Sequence, residues 1–411
     1  YRTEWDVIER LENVISHESM HAGGVLIYPD LGSILPIKKT GKSNGMLVAG
    51  FDKYMLEELG HFKFDILGLE TLPILHGAIQ SIGNGFDINK IDLEDKNVYN
   101  MLSEGDVSGV FQISAQSGKV MEQKPQNFRD LIAINALIRP GVGDWTEYIA
   151  RRQGKEWNVH QDRMPYLKET EGLIAYQEQY LLDCKTFAGW GIAFADKKVR
   201  KNKNIREDGE LSHKFYQDSV QNGYSMEDAM EVWKEIVEVV DGGYGFNKSH
   251  SASYAMMSYQ TAYLKHHYPE HFYASLMSGA KTDGDGQNEI SGYIAECKQR
   301  GITILPPDIN TSGDNFIASD RGIHYRITTI KHVGESAIAH INELRPIASF
   351  EDFMERRNKS HAKKNVIINL IKAGAFDFDE PDRSELLYRF DLSQRTKTQI
   401  KKNLDVDRYE Y

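Results

Sequence analysis

"GYGFNKSHSASYAMMSYQTAYLK", Gly243 to Lys265, decides how the middle of the chain is read. From Ser251 to Lys265 there is no Gly or Pro, and Tyr254, Met257, Tyr259, Ala262 and Leu264 supply apolar positions, so the stretch predicts a largely buried helix. Asn247, Lys248, Ser249 and His250 crowd its start. A helix N-terminus presents unpaired N–H groups and the positive end of the helix dipole, so an added Lys and His make it a candidate cradle for an anion, most naturally phosphate. Tyr254 follows His250 by four residues and shares its face, placing a flat ring one turn beyond. The same residues equally read as a Ser or Asn cap on a core helix with a satisfied His.

Around this stretch, residues 72–280 read as mainly helical. Val98–Leu102, Phe128–Leu137, Gln177–Phe187, Ser225–Val240 and Ser251–Met277 carry 3.6-period apolar positions, and Ser225 with Asp228 forms a capping pair. Residues 21–69 read as β-rich: "HAGGVLI" is a strand ended by Pro29-Asp30, a polar hairpin follows at Lys38–Gly45, and "HFKFDILGL" is a further strand. Gly279–Gln287, "GAKTDGDGQ", reads as a linker, after which "GITILPPDIN" and "GIHYRITTIK" look like short strands before helices return from Val333.

The length of 411 residues predicts two or three domains. Two distant cysteines, Cys184 and Cys297, with no CxxC or zinc spacing, argue against a disulfide or metal scaffold and fit a cytoplasmic setting. No 18-residue apolar run or signal-like segment predicts contact with a membrane. The chain starts at Tyr1 with apolar periodicity already under way, and is expected to be a fragment lacking an N-terminal part. A net charge of −11 opposes general adhesion to polyanions, but "ADKKVRKNKNIR", Ala195–Arg206, sets six Lys/Arg against one Asp. Such a run is a solvated face or a polyanion contact.

Three further residues carry possible chemistry. Asp65 lies between Phe64 and Ile66 with Lys63 two positions away on the same strand face, either a surface ion pair or a Mg²⁺ carboxylate beside a triphosphate-contacting Lys. Arg139, in "ALIRPGVGD", caps a helix C-terminus or clamps phosphate with its planar fork. "YQEQ", Tyr176–Gln179, reads as a helix start.

Taken in order, "HAGGVLI", "KFDILGLETL", "GVFQIS", "ALIRPG", "YQEQ", "AGWGIAFAD", "YGFNKSHSASYAMMSYQTAYLKHHYP" and "LPPDIN" resemble the alpha subunits of bacterial DNA polymerase III, the C-family replicative polymerases. The resemblance runs from about residue 9 to about residue 390. It implies an α+β architecture: 1–20 the end of a thumb and palm connection, 21–71 the C-terminal part of a polymerase-beta-like palm, 72–280 the fingers, 281–380 the first part of a helix-hairpin-helix duplex-binding domain, and 381–411 the next segment.

By the same resemblance, the activity is template-directed DNA synthesis, in which a primer 3′-hydroxyl attacks a dNTP held by two Mg²⁺ ions. Asp65 matches the third of the family's three metal aspartates and Lys63 the Lys that meets the triphosphate. The first two belong to a Pro-Asp-x-Asp motif, and none occurs in this sequence. Asn247, Lys248, Ser249 and His250 look like part of the nucleotide pocket, and Tyr254 like the ring on which the base stacks. Arg139 matches the fingers Arg. Arg200, Lys201 and Lys203 fall where the family carries adjacent Arg and Lys residues, with Val199 departing from the pattern. Lys331, Val333 and Gly334 match a duplex-contacting hairpin, in which His332 stands where the family commonly has Gly. The implied partners are primer-template DNA, dNTPs, a missing N-terminal palm portion, and a sliding clamp with other replisome subunits reached through regions outside this chain. The competing expectation is a catalytically incomplete primer-template or nucleotide-binding module that complements a separately encoded half.

Overall fold

The alternation in "KFD" becomes a short strand, β4 (Lys63–Asp65), antiparallel to β1 (Gly24–Leu26), with Gly24 opposite Asp65 and Leu26 opposite Lys63. The computed structural model describes residues 5, 20, 21, 23–27, 36–39, 47–66, 68–83, 85–137, 146–243, 245–280 and 285–394. Two units divide the chain, Tyr1–Glu70 and Thr71–Tyr411.

In the first unit, β2 (Ile37–Lys39) and β3 (Leu47–Ala49) form an antiparallel hairpin. Between it and β4 lies a helix that the strand reading passed over, α1 (Lys53–Glu58). Its start is written in Asp52, whose carboxylate accepts the Tyr54 and Met55 N–H groups at 2.9 Å. The cross-strand pair Val25 and Phe64 remains exposed, as do Phe62 and Ile66.

The second unit is mainly helical, with α2 (Thr71–Ile82), α3 (Lys96–Ser103), α4 (Phe128–Leu137), α5 (Gln177–Ala188), α6 (Gly209–Gln221) and α7 (Met226–Asp241) preceding the helix of the opening stretch. Ser225 caps α7 by accepting the Asp228 N–H at 3.0 Å. The single run expected over Ser251–Met277 is two helices, α8 (Lys248–His267) and α9 (Pro269–Gly279). Pro269 has no N–H and its ring excludes the preceding helical turn, so it ends one helix and opens the next as its first residue. On α8, Ser251, Ala255, Ser258, Tyr259 and Ala262 are buried at three- and four-residue steps. These mostly small side chains let α4 pack close, with Ser251 Oγ donating to the Ile132 carbonyl at 2.6 Å.

A second cluster gathers α5, α6 and α7 around Phe215, Trp190 and Trp233, and includes the free, buried Cys184. Helix α9 packs on α2 and on a three-stranded sheet of order β5 (Ile304–Leu305), β7 (Gly322–His324), β6 (Ile317–Ser319). Thus "GIHYRITTIK" is strand only in its first part and turns into a 3₁₀ turn at Ile327–Thr329. The expected linker is shorter than its composition implied, because α10 (Asp285–Gln299) starts within it; residues 281–284 lie outside the described set. Helices α11 (Glu335–Leu344), α12 (Phe350–Arg356), α13 (Lys364–Ala373) and α14 (Arg383–Gln394) close a final core around Ile338, Phe353, Ile367 and Phe376. Among the described residues, no helix is long and apolar enough to cross a membrane.

Lys265, near the end of α8, has no exposed side-chain surface. Its ammonium meets Asp106 at 2.7 Å, Glu296 of α10 at 2.8 Å and the Ser108 carbonyl at 2.8 Å. Burial pushes the Lys265 pKa down, while Glu296 pulls it back toward the charged form. Replacing it with Met leaves Asp106 and Glu296 in a partly dry site with Arg300 as their remaining cationic partner. Because both retain some contact with water, the expected loss is about 2–3 kcal/mol of unfolding free energy, at the lower edge for a broken buried pair, measured by urea denaturation. An unchanged midpoint would show that the cluster contributes nothing to holding α8 on α10.

Candidate functional site

The first turn of α8 is assembled from segments far apart in sequence. Asn247 is its N-cap, its Oδ1 accepting the His250 N–H at 2.9 Å and the Ser249 hydroxyl at 2.6 Å. Just before it, Phe246 forms a parallel bridge with Tyr176: the Gln177 N–H donates to the Phe246 carbonyl at 2.8 Å, and the Phe246 N–H to the Ala175 carbonyl at 3.1 Å. Gly245 allows this approach, since a Cβ there would lie 2.7 Å from a ring carbon of Tyr180. The "YQEQ" and "YGFNKSH" blocks are therefore one structural element.

Glu178, in the first turn of α5, closes it. Its carboxylate accepts the Lys248 N–H at 3.0 and 3.1 Å and Asn247 Nδ2 at 3.1 Å, answering backbone donors that a helix start leaves open. The Lys248 ammonium lies between both oxygens of Glu169, at 2.6 and 2.7 Å, and 5.5 Å from the centre of the buried Tyr176 ring. Burial pushes the Tyr176 phenol far above its ordinary range, so it stays neutral.

A line of rings runs along the same end of α8. His250 lies 4.3 Å from Tyr254 and 5.2 Å from Phe246, and Tyr254 lies 5.1 Å from Phe111 of "GVFQIS". Phe111 is fixed through its backbone, its N–H donating to Thr261 Oγ1 at 3.1 Å and its carbonyl accepting from Ser258 at 3.0 Å. Gln112, next in sequence, holds φ +64°, a left-handed conformation that costs a residue with a Cβ. Glu169, Phe111 and Gln112 were not singled out from sequence.

The basic segment begins on a π-helical turn, Asp196–Arg200, and Lys201, Lys203 and Arg206 follow it. Arg200 is paired with Asp196, its Nη2 reaching Oδ2 at 3.1 Å and holding that carboxyl below the ordinary range, while Lys201 and Lys203 are exposed. The turn packs on α5, and Val199 shares a buried cluster with Tyr180 of that helix. Arg139 lies outside the described residues.

In the first unit, Lys63 Nζ lies 2.9 Å from Asp65 Oδ1, and His21 Nδ1 lies 3.8 Å from the same oxygen. The hydrogen bond from Lys63 holds the Asp65 carboxyl below its ordinary value, so it is ionised at neutral pH. An exposed, ionised oxygen donor fits one ligand position of a hard cation. Among the described residues, no group of three His, Cys, Asp or Glu side chains forms a complete metal site.

In the hairpin, Lys331 is exposed and helps line a shallow groove that Lys372 also reaches. Val333 is buried in the core and its N–H donates to the Ile330 carbonyl at 3.0 Å, so its backbone donor is used within the turn. Gly334 is the N-cap of α11, with no side-chain cap and open space beside it. His332 takes φ +69°, which accounts physically for Gly being favoured there. His332→Gly is therefore expected to stabilise the protein by about 0.5–1 kcal/mol, the relief of left-handed strain less the added freedom of the unfolded chain. Thermal unfolding tests this, and a lower midpoint in the variant would rule it out.

Comparison with known proteins extends the geometry. Residues 1–68 match the bacterial DNA polymerase III alpha NTPase domain, 71–223 the bacterial DNA polymerase III alpha subunit finger domain, and 301–386 a helix-hairpin-helix motif. The chain is 36% identical over 405 residues to DNA polymerase III subunit alpha of Aquifex aeolicus, covering 94% of this chain and 34% of that protein. The subunit of Escherichia coli K12 is 36% identical over 413 residues, 93% of this chain and 35% of its own length. That of Neisseria meningitidis MC58 is 34% identical over 401 residues, with 94% and 34% covered. The chain thus spans about a third of the length of these relatives.

Proposed function

Because this chain belongs to the family of bacterial DNA polymerase III alpha subunits, we propose that it contributes the nucleotide-receiving and duplex-holding parts of a template-directed DNA polymerase. The observation that carries the reading is the convergence of Phe111, Tyr176–Glu178 and Phe246–Tyr254 on one helix end. An incoming dNTP places its phosphates at Lys248 and the first turn of α8, with Ser249 and His250 at its flank. Its base rests on the Tyr254 ring, a contact every base can make. Arg139, Arg200, Lys201 and Lys203 add positive charge for triphosphate or template. Lys331 and the open backbone around Gly334 meet duplex phosphates, where charge and exposed N–H groups bind without reading sequence.

Asp65 would supply one ligand to a divalent cation, with Mg²⁺ the expected ion. When bound, such an ion stabilises the charge that develops as the primer 3′-hydroxyl joins the α-phosphorus and pyrophosphate leaves. The chain's own part is narrower: Lys63 orients the Asp65 carboxylate and favours its charged form. A second reading is a primer-template or nucleotide-binding module that complements a separately encoded half.

Primer extension distinguishes them, using this chain alone and joined to the upstream portion of the Escherichia coli relative. Extension by the joined protein only is the expected result. Extension by neither, with primer-template still retained on a filter, would favour the binding module; extension by the chain alone would show that it needs no further carboxylates.

A further inference from the structure

The end of α8 read as a phosphate cradle already holds anions of its own. Two carboxylates, Glu169 and Glu178, stand against Lys248. They hold different parts of it. Glu178 accepts the Lys248 backbone N–H and the Asn247 amide, groups fixed by the helix, whereas Glu169 holds only the ammonium at the end of a flexible stem. A phosphate approaching Lys248 therefore competes with Glu169 first.

Resting on the reading that this turn receives the nucleotide, we propose that Glu169 is a displaceable counter-ion, holding Lys248 in the empty site and yielding the ammonium to phosphate oxygens of a bound nucleoside triphosphate. The exchange needs little rearrangement. Lys248 keeps 39% of its side chain exposed, so its ammonium is within reach of a ligand, and it is the end of a flexible four-carbon stem. Glu169 cannot easily follow. It sits on the 3₁₀ turn Lys168–Thr170, where the Thr170 hydroxyl donates to the Leu173 carbonyl at 2.6 Å and accepts from Gln179 Nε2 at 2.8 Å. The competitor is therefore held in place, and a triphosphate, carrying several negative charges against one, is the better partner for a mobile ammonium. A neutral nucleoside gains nothing from the exchange. Glu169 accordingly makes the site selective for charge as well as lowering its affinity.

Calorimetric titration of the 411-residue chain with dATP, tripolyphosphate and deoxyadenosine tests this. Glu169→Gln is expected to bind dATP and tripolyphosphate about tenfold more tightly while deoxyadenosine binding stays unchanged, and Glu169→Asp, which keeps the charge, to remain near the wild type. Lys248→Ala is expected to lose most dATP affinity. If Lys248→Ala weakens dATP binding but Glu169→Gln leaves it unchanged or weaker, the counter-ion exchange is wrong and the nucleotide site stands. If Lys248→Ala has no effect, or neither wild type nor Glu169→Gln binds dATP at millimolar concentration, the nucleotide reading of this turn falls and the exchange with it. Thermal unfolding of each variant separates loss of binding from loss of fold.

Discussion

Arg163→Met is expected to lower the free energy of unfolding by about 3–5 kcal/mol, the cost of stranding a buried charge. Arg163 donates to both oxygens of Asp183, at 2.9 and 3.0 Å, and to Glu235 at 2.7 Å, joining α5 to α7 through the interior. The Asp183 side chain is wholly buried and also accepts the Tyr166 hydroxyl at 2.7 Å. Burial raises the Asp183 pKa even with the guanidinium beside it, which pulls the other way. Without Arg163 the value rises further. A carboxyl whose folded pKa lies above its unfolded value, about 3.9, takes up a proton on folding. The variant should therefore recover stability as pH falls from 8 toward 5 and lose it as pH rises. Urea denaturation at both values checks the size and the sign. A shift under 1 kcal/mol at pH 8 would mean that water reaches Asp183 and the network is not a dry one.

The other large effect concerns chemistry. Asp65→Ala, made in the chain joined to an upstream palm, is expected to reduce the primer-extension rate by about a thousandfold or more, roughly 4 kcal/mol of barrier. Its side chain is half exposed and its ion pair with Lys63 contributes little to folding, so the unfolding midpoint should hardly move. That contrast makes the variant informative: activity falls and stability does not. Lys63→Ala should cost less, since it removes the group that orients Asp65 and leaves the carboxylate itself. Extension within tenfold of the unmodified protein would return Asp65 to the status of a surface ion pair.

The helices α4, α5 and α7 were legible within a residue or two, because their apolar positions repeat with the helical period and Ser225 marks a start. The convergence at α8 was only half legible. Asn247 and Lys248 announce a helix start locally, but the groups that satisfy them, Glu178 and Glu169, lie about seventy to eighty residues away, and nothing in a local window encodes so distant a pairing. Lys265 illustrates the same limit. At the end of an amphipathic run a lysine reads as solvated, and its burial follows from where α10 and the Asp106 loop come to rest. The break at Pro269 was available in the sequence and was outweighed by the continuous apolar pattern on both sides of it.

Helix α8 carries Lys248 at one end and Lys265 near the other, seventeen residues or roughly 25 Å apart. The far end is bolted by three contacts to α10 and the loop at Asp106–Ser108. Were the helix to pivot there, Lys265 would be the fulcrum of a lever. A rotation of one degree about that point carries the Lys248 turn through roughly 0.4 Å, enough over a few degrees to make or break a hydrogen bond. Loosening the fulcrum would then blur the aim of the lever's tip even where every residue at the tip is unchanged.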